Sequence, residues 1–199
     1  MTSLDLDLPH VTTSAATSAS SRVPRRAIDF AVVTGAWAVV VVAAALFPLD
    51  DPQVARAALF VHLMSMAVGF GAVVMIDVYG LLWLFGFRTL SELVALSTAA
   101  HSVIAVGVGG LLASGIALRP DLGSPLARFK LLLVLALMLN GVAAQRMLQH
   151  MKKTLPGAVR GANIPWAGFQ RGLTAALVSQ ATWWGSIAIG FITSANRHS

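Results

Sequence analysis

Five stretches of almost uninterrupted apolar residues dominate the chain, and short polar segments separate them. Each stretch has about 20 residues or more, the length that an α-helix needs to cross the hydrocarbon core of a bilayer. Proline punctuates the gaps after the first, third and fourth stretches. The stretches cover approximately residues 28–47, 57–85, 92–118, 128–149 and 171–193. This pattern predicts an all-α fold, a polytopic transmembrane bundle of about five helices.

Composition strengthens this prediction. The 199 residues are 57% hydrophobic and only 11% charged, with a mean hydropathy of +0.78. Soluble domains average about 25% charged residues, and a soluble fold of this size could not bury so much apolar surface. The chain contains no cysteine, which excludes disulfides and thiolate metal sites. From the apolar composition we expect the lipid bilayer to be its main partner. A homo-oligomer or a larger membrane complex is expected as a further partner.

Residues 1–26 differ from the rest of the chain. They are mostly small and polar, rich in Ser, Thr and Ala, a composition that cannot form a packed core. They also lack a basic start followed directly by an apolar stretch, so they do not resemble a signal peptide. The sequence predicts a disordered cytoplasmic tail over residues 1–26 and one five-helix transmembrane domain over residues 27–199.

The basic residues favour one side of the predicted bundle. Five crossings put the termini on opposite sides, and nine of the 14 Lys and Arg residues then share the N-terminal side. The positive-inside rule places the N-terminus in the cytoplasm and the C-terminus outside, across the plasma (inner) membrane. The net charge of +6 indicates anchoring to anionic lipids, not nucleic acid, because no basic run alternates with aromatic residues.

Four polar side chains lie at similar depth on four different predicted helices. Counting 1.5 Å per residue from the cytoplasmic ends places them about 12–14 Å into the membrane. They are Asp77, His101, Asn140 and Gln180. Ionisable groups at this depth are costly, so the cluster is a candidate site. It is either a hydrogen-bonded clamp between helices or a proton-relay or ligand site. We expect Asp77 and His101 to face the interior and lie close together.

A second polar level is expected towards the outer side. His62 and Met66 are four residues apart and share one helix face, and imidazole with thioether suits Cu(I) or haem iron. Ser114 and Lys130 fall at similar depth, and a lysine there suits an anion, a lipid phosphate or a carboxylate. His62 and His101 differ in depth by about 18 Å, so they do not share one haem. The simpler interpretation is that the methionine fills space.

Residues 58–147 carry several short patterns in a fixed order. The patterns are Leu59-Phe60-Val61-His62 before Gly69-Phe70-Gly71, then Ala113-Ser114-Gly115, a loop from Pro120 to Pro125, and Arg128-Phe129-Lys130-Leu131. In this order they resemble the copper resistance D (CopD-like) superfamily of bacterial membrane proteins. The sequence departs from that family where Val68-Gly69-Phe70-Gly71 replaces a Trp-Gly-Gly pattern. The resemblance implies copper handling or a cytochrome-b-like ancestry.

Three functions follow from these observations. The first is CopD-like copper handling near His62 and Met66, and it is the one that we favour. The second is electron transfer by a bound haem b, and the third is a structural or assembly role without chemistry. The sequence has no Gly-rich phosphate loop, nucleophile elbow or zincin helix, so catalysis is not predicted.

The predicted topology is tested by a reporter fused after Ser199. The fusion should report an extracytoplasmic position, because the basic asymmetry retains the N-terminal side in the cytoplasm. A reporter inserted after Pro156, in the strongly basic fourth loop, should report a cytoplasmic position. A cytoplasmic signal from the Ser199 fusion would contradict the five-span topology.

Overall fold

Five long α-helices make up nearly all of the described chain. The structure is a computed structural model that describes residues 25–46, 51–118, 120–157, 159–160 and 164–195. The helices are α1 (Arg25–Leu46), α2 (Pro52–Leu84), α3 (Leu90–Ala117), α4 (Pro125–Thr154) and α5 (Trp166–Ala195). All five are long and apolar enough to cross a membrane, which confirms the predicted fold class. The protein is a multi-pass membrane protein. The predicted tail lies outside the described residues, apart from Arg25 and Arg26, with which α1 begins.

Polar caps start two helices several residues before the apolar stretches. The Asp51 carboxylate accepts a hydrogen bond from the Gln53 backbone N–H at 2.8 Å, and Pro52 takes the first helical position, where its missing N–H costs nothing. Thr89 and Glu92 form a reciprocal capping box at the start of α3. The helices are therefore longer than the apolar stretches, because hydropathy detects the lipid-facing part and not the capped ends.

Helix α2 is longer than a bilayer crossing requires. Its 33 residues span about 50 Å at 1.5 Å per residue, whereas the hydrocarbon core is about 30 Å thick. The helix must therefore tilt strongly or extend beyond the bilayer. His62 consequently lies about 15 Å from the first residue of α2, deeper along the helix than the sequence predicts.

The helices pack as two antiparallel pairs with α1 at the side. The closest pairings are α2 with α3 and α4 with α5, while α1 packs against α3 and α4. Trp37 of α1 donates its indole N–H to the Leu131 carbonyl of α4 at 3.0 Å. The α2–α3 and α4–α5 pairs meet where the ring of Phe70 lies 5.4 Å from that of Trp183, centroid to centroid.

Helices α2 and α3 touch through their backbones. A Cβ atom built on Gly107 would lie 2.6 Å from the Cα of Gly69 and 2.9 Å from the Ser65 carbonyl oxygen. Only residues without a bulky side chain permit this approach. The close distance increases the van der Waals contact between the helices, which stabilises their association in lipid. Gly71 has no heavy atom of the described chain within 4 Å of its built Cβ, so this glycine is not a contact point.

A cluster of buried hydrophobic side chains lies at one end of the bundle. Leu90 is 1% exposed and clusters with Trp83, Leu93, Val94 and Met151. The Trp83 indole N–H and the Leu90 backbone N–H donate to the carbonyl of Val159, at 3.1 and 2.9 Å. The α4–α5 connection therefore folds over the α2–α3 turn and closes this end with protein.

Replacement of Gly107 by alanine should destabilise the bundle by about 1–3 kcal/mol, the usual cost of overpacking. The new methyl group would overlap the Gly69 backbone, which cannot move as a flexible side chain can. The matched control is Gly109→Ala, because no described heavy atom lies within 4 Å of that Cβ position. Thermal unfolding in detergent measures both variants, and equal melting temperatures would contradict the close helix contact.

Candidate ligand-binding site

His62 of α2 and Ser114 of α3 meet across the helix interface. The Nδ1 atom of His62 lies 2.9 Å from the Ser114 hydroxyl oxygen. Ser114 is buried and His62 half-buried. His62 lies on the same α2 face as Ser65 and Gly69, at helical spacing, so the close packing of α2 and α3 places its ring. The imidazole is thus held between the two helices by its contact with Ser114.

The hydrogen bonds of Ser114 favour one histidine tautomer. The serine oxygen lies 2.6 Å from the Gly110 carbonyl oxygen, to which its hydroxyl can donate, and a hydroxyl has one proton to donate. When that proton is donated to Gly110, the serine oxygen accepts from His62, and the neutral ring carries its proton on Nδ1. In this tautomer the Nε2 atom keeps its lone pair, as a metal ligand or hydrogen-bond acceptor requires.

Lys130 of α4 brings a positive charge to the same end of the bundle. Its side chain is half-buried, and its ammonium lies close enough to His62 for the two to interact electrostatically. A Cβ built on Gly190 of α5 would lie 3.5 Å from Nζ. The ion pairs found in the described chain, Arg88–Glu92 and Arg146–Asp29, do not involve this lysine.

Two described carboxylates lie in the loops at this end, and both bind backbone groups. Asp51 caps the start of α2 through Gln53, and Asp121 accepts a hydrogen bond from the Gly123 backbone N–H at 2.9 Å. Both are exposed loop residues. Lys130 therefore has no carboxylate partner within the described ranges.

Helix α5 contributes two buried donors that sequence reasoning missed. Trp183 is 2% exposed, and neither its Nε1 nor the buried hydroxyl of Ser186 has a hydrogen-bond partner among the described residues. An unsatisfied buried group costs about 1–3 kcal/mol. The signal in the sequence is the spacing of Trp183, Ser186 and Gly190, which places a polar and small stripe on one face of an otherwise apolar helix.

Asp77 and Gln180, which the sequence places at one depth, are in contact. Gln180 donates from Nε2 to the Asp77 carboxylate at 2.5 Å, and Trp184 donates its indole N–H to Gln180 Oε1 at 3.0 Å. This chain of two hydrogen bonds joins α2 to α5. Both polar atoms of the glutamine amide are engaged, so the arrangement clamps the helices together.

The other two members of the predicted cluster do not join this chain. Asn140 donates to the Ala175 carbonyl at 2.9 Å and so ties α4 to α5. His101 is exposed and forms no hydrogen bond or ion pair to Asp77 within the described chain. The expectation that His101 faces the interior beside Asp77 is therefore wrong. His101 lies about 120° around the α3 axis from Gly107, the residue that faces α2, so similar depth did not bring the two together.

The histidines of the described helices stand at three separate levels. His62 is level with Ser114, which lies thirteen residues beyond His101 on α3, about 20 Å along the axis. His150 lies near the opposite end of α4 from Lys130. No two of these three imidazoles can therefore bind opposite faces of the same haem iron. No group of three His, Cys, Asp or Glu side chains arranged for a metal ion occurs in the described ranges either.

Met66 lies one helical turn from His62 and is half-buried, whereas Met64 is exposed. The pair thus offers one imidazole nitrogen and one thioether sulfur from adjacent turns of α2.

Comparison of the chain with protein-family models, with curated proteins and with solved structures gives no match. These side chains are therefore the basis for the function proposed below.

Removal of the hydrogen bonds of Gln180 should destabilise the bundle without changing the contact between His62 and Ser114. Gln180→Leu strands the Asp77 carboxylate and should cost about 0.6–1.7 kcal/mol, the range measured for hydrogen bonds between membrane helices. Gln170→Leu, at an exposed position of the same helix, is the matched control. Thermal unfolding distinguishes them, and a Gln180 variant as stable as the control would show that the hydrogen bonds contribute nothing.

Proposed function

We propose that this protein handles copper in the manner of CopD-like membrane proteins, with Cu(I) bound at His62 near the outer end of α2. The proposed orientation has the N-terminus in the cytoplasm, so this end of the bundle faces the extracytoplasmic side of the inner membrane. Nucleic acid has no place in this function, and no catalytic step is proposed.

One observation carries the proposal, the hydrogen bond from His62 to Ser114. A histidine that binds a metal usually donates its other ring N–H to an oxygen, which fixes the tautomer and the ring orientation. The 2.9 Å contact with Ser114 supplies such an oxygen, and the Gly110 carbonyl takes the serine's own proton. This arrangement supports Nε2 as a preoriented ligand atom.

The surrounding groups favour a soft monovalent ion. Met66 offers a thioether, which prefers Cu(I) to hard cations. The Lys130 charge repels any cation, and at equal distance it repels a divalent ion twice as strongly as a monovalent one. His62 and Met66 supply two ligands to the copper ion. A third ligand would come from a second copy of the chain or from a partner in a larger complex.

Haem b is a weaker candidate for the same end. The described histidines stand too far apart in depth to provide two axial ligands. His62 with a ligand from another chain is the arrangement that a haem would require here. An absorbance spectrum of the purified protein tests for it directly, because bound haem absorbs strongly in the visible range.

A structural or assembly role is the second candidate function. The hydrogen bonds from Trp184 to Gln180 and from Gln180 to Asp77 favour it, because they satisfy the amide of Gln180 and join two helices. Such a subunit would need neither metal nor pigment. It becomes the preferred interpretation if the copper experiment below gives no binding.

Copper binding should depend on His62, Met66 and Ser114. Competition between the purified protein and a chromogenic Cu(I) chelator measures the affinity. His62→Gln should abolish binding, and Met66→Leu should weaken it. Ser114→Ala should weaken it about 10–100-fold, because the ring loses its orienting acceptor.

Met64→Leu is the matched control, since Met64 is an exposed methionine two residues from Met66. It should bind copper like the wild type. Equal affinity in all variants, or no binding by the wild type, would exclude the copper function at this site.

A further inference from the structure

We propose that Lys130 and Ser186 bind an oxyanion, of the carboxylate or phosphate type, in the interior between α4 and α5. The same interior face of α5 carries the indole N–H of Trp183, one turn from Ser186. The proposal does not depend on copper, because none of these three residues is a ligand in the metal site described above.

The Lys130 ammonium requires a counter-charge. Lys130 lies within a helix long and apolar enough to cross the membrane, and a charge at such a position is normally paired. Within the described ranges no carboxylate lies at ion-pair distance from its Nζ. An anion from outside the chain supplies the missing counter-charge.

The polar groups without a described partner on α4 and α5 are hydrogen-bond donors. Two buried groups of α5, the Ser186 hydroxyl and the Trp183 indole N–H, lack a hydrogen-bond partner among the described residues, and no described carboxylate pairs with the Lys130 ammonium. The ammonium and the indole are donors only, and the hydroxyl has a proton to donate. A surface made of donors is complementary to the several lone pairs of an oxyanion and not to a cation or a hydrocarbon chain.

The Lys130 ammonium has space beside α5 and lies near the end of α4. Gly190 lies one turn beyond Ser186 on α5. Because it has no side chain, it leaves space beside the Nζ atom of Lys130. Lys130 lies only about 8 Å along α4 from Pro125, the first residue of the helix. Both a dissolved oxyanion and the phosphate of a lipid head group at this end of the bundle can therefore reach the ammonium.

The proposal is tested with the full-length protein purified in an uncharged detergent. Inorganic phosphate is titrated by calorimetry, with chloride at the same ionic strength as reference. Phosphate should bind and raise the melting temperature, and chloride should not. In a parallel arm the protein is placed in nanodiscs of phosphatidylcholine with or without phosphatidylglycerol, and the same stabilisation identifies a lipid head group as the source of the oxyanion.

Two variants locate the binding. Lys130→Met should weaken the affinity about 10–100-fold, the loss expected for a hydrogen bond to a charged group. Ser186→Ala should weaken it less, but should leave the stability without phosphate unchanged or higher, because it removes an unsatisfied buried donor. A purely structural serine would instead lower that stability. Lys153→Met is the charge-matched control, since Lys153 is an exposed lysine near the opposite end of α4.

The outcomes separate clearly. Loss of binding in the Lys130 and Ser186 variants but not in the Lys153 variant supports the site, for whichever oxyanion source stabilises the wild type. If Lys130→Met does not fold, Lys130→Arg, which keeps the charge and should retain binding, is compared with Ser186→Ala. No stabilisation of the wild type by phosphate or phosphatidylglycerol overturns the proposal, as does equal loss in the Lys153 variant. Copper affinity, tested through His62, does not enter this result.

Discussion

The direct contact between the backbones of α2 and α3 is the constraint on which the rest of the structure depends. Lipid tails are as apolar as the side chains, so the hydrophobic effect does not press these helices together, and close packing must do so. Gly69 and Gly107 allow that packing. His62 lies seven residues before Gly69 and Ser114 seven residues after Gly107. Since the helices are antiparallel neighbours, the glycine contact itself sets His62 opposite Ser114.

The polar side chains of the bundle divide into satisfied and unsatisfied groups. Asp77, Gln180 and Asn140 find partners on neighbouring helices, and they are the residues that hold α2, α4 and α5 in place. Lys130, Ser186 and Trp183 find none among the described residues. Native structures leave few buried polar groups unpaired. The unpaired side chains of the second group are therefore the ones that remain available to bind a ligand.

The two ends of the bundle differ in the same sense. One end is closed by protein, where the α4–α5 connection covers the cluster around Leu90 and Trp83. The other end carries His62, Ser114 and Lys130, and the described carboxylates of its loops, Asp51 and Asp121, bind backbone groups. A ligand bound as proposed would enter from this end, opposite the one that the α4–α5 connection covers.

The sequence by itself determined the number of long apolar helices and their approximate limits. These properties depend on local hydropathy and on the fixed rise of a helix, and both can be read along one chain. The helix starts at Pro52 and Leu90 were missed because capping residues are polar and lie outside the apolar stretches.

Only the tertiary structure decided which way each side chain points. By the glycine register His101 lies within about 3 Å of Asp77 in depth, yet it is exposed on the far side of α3, whereas Gln180 reaches Asp77 directly. Depth follows from counting residues, but the rotation of a helix follows from its packing partners. In a lipid-embedded helix that is apolar on nearly every face, no polar stripe records that rotation in the sequence.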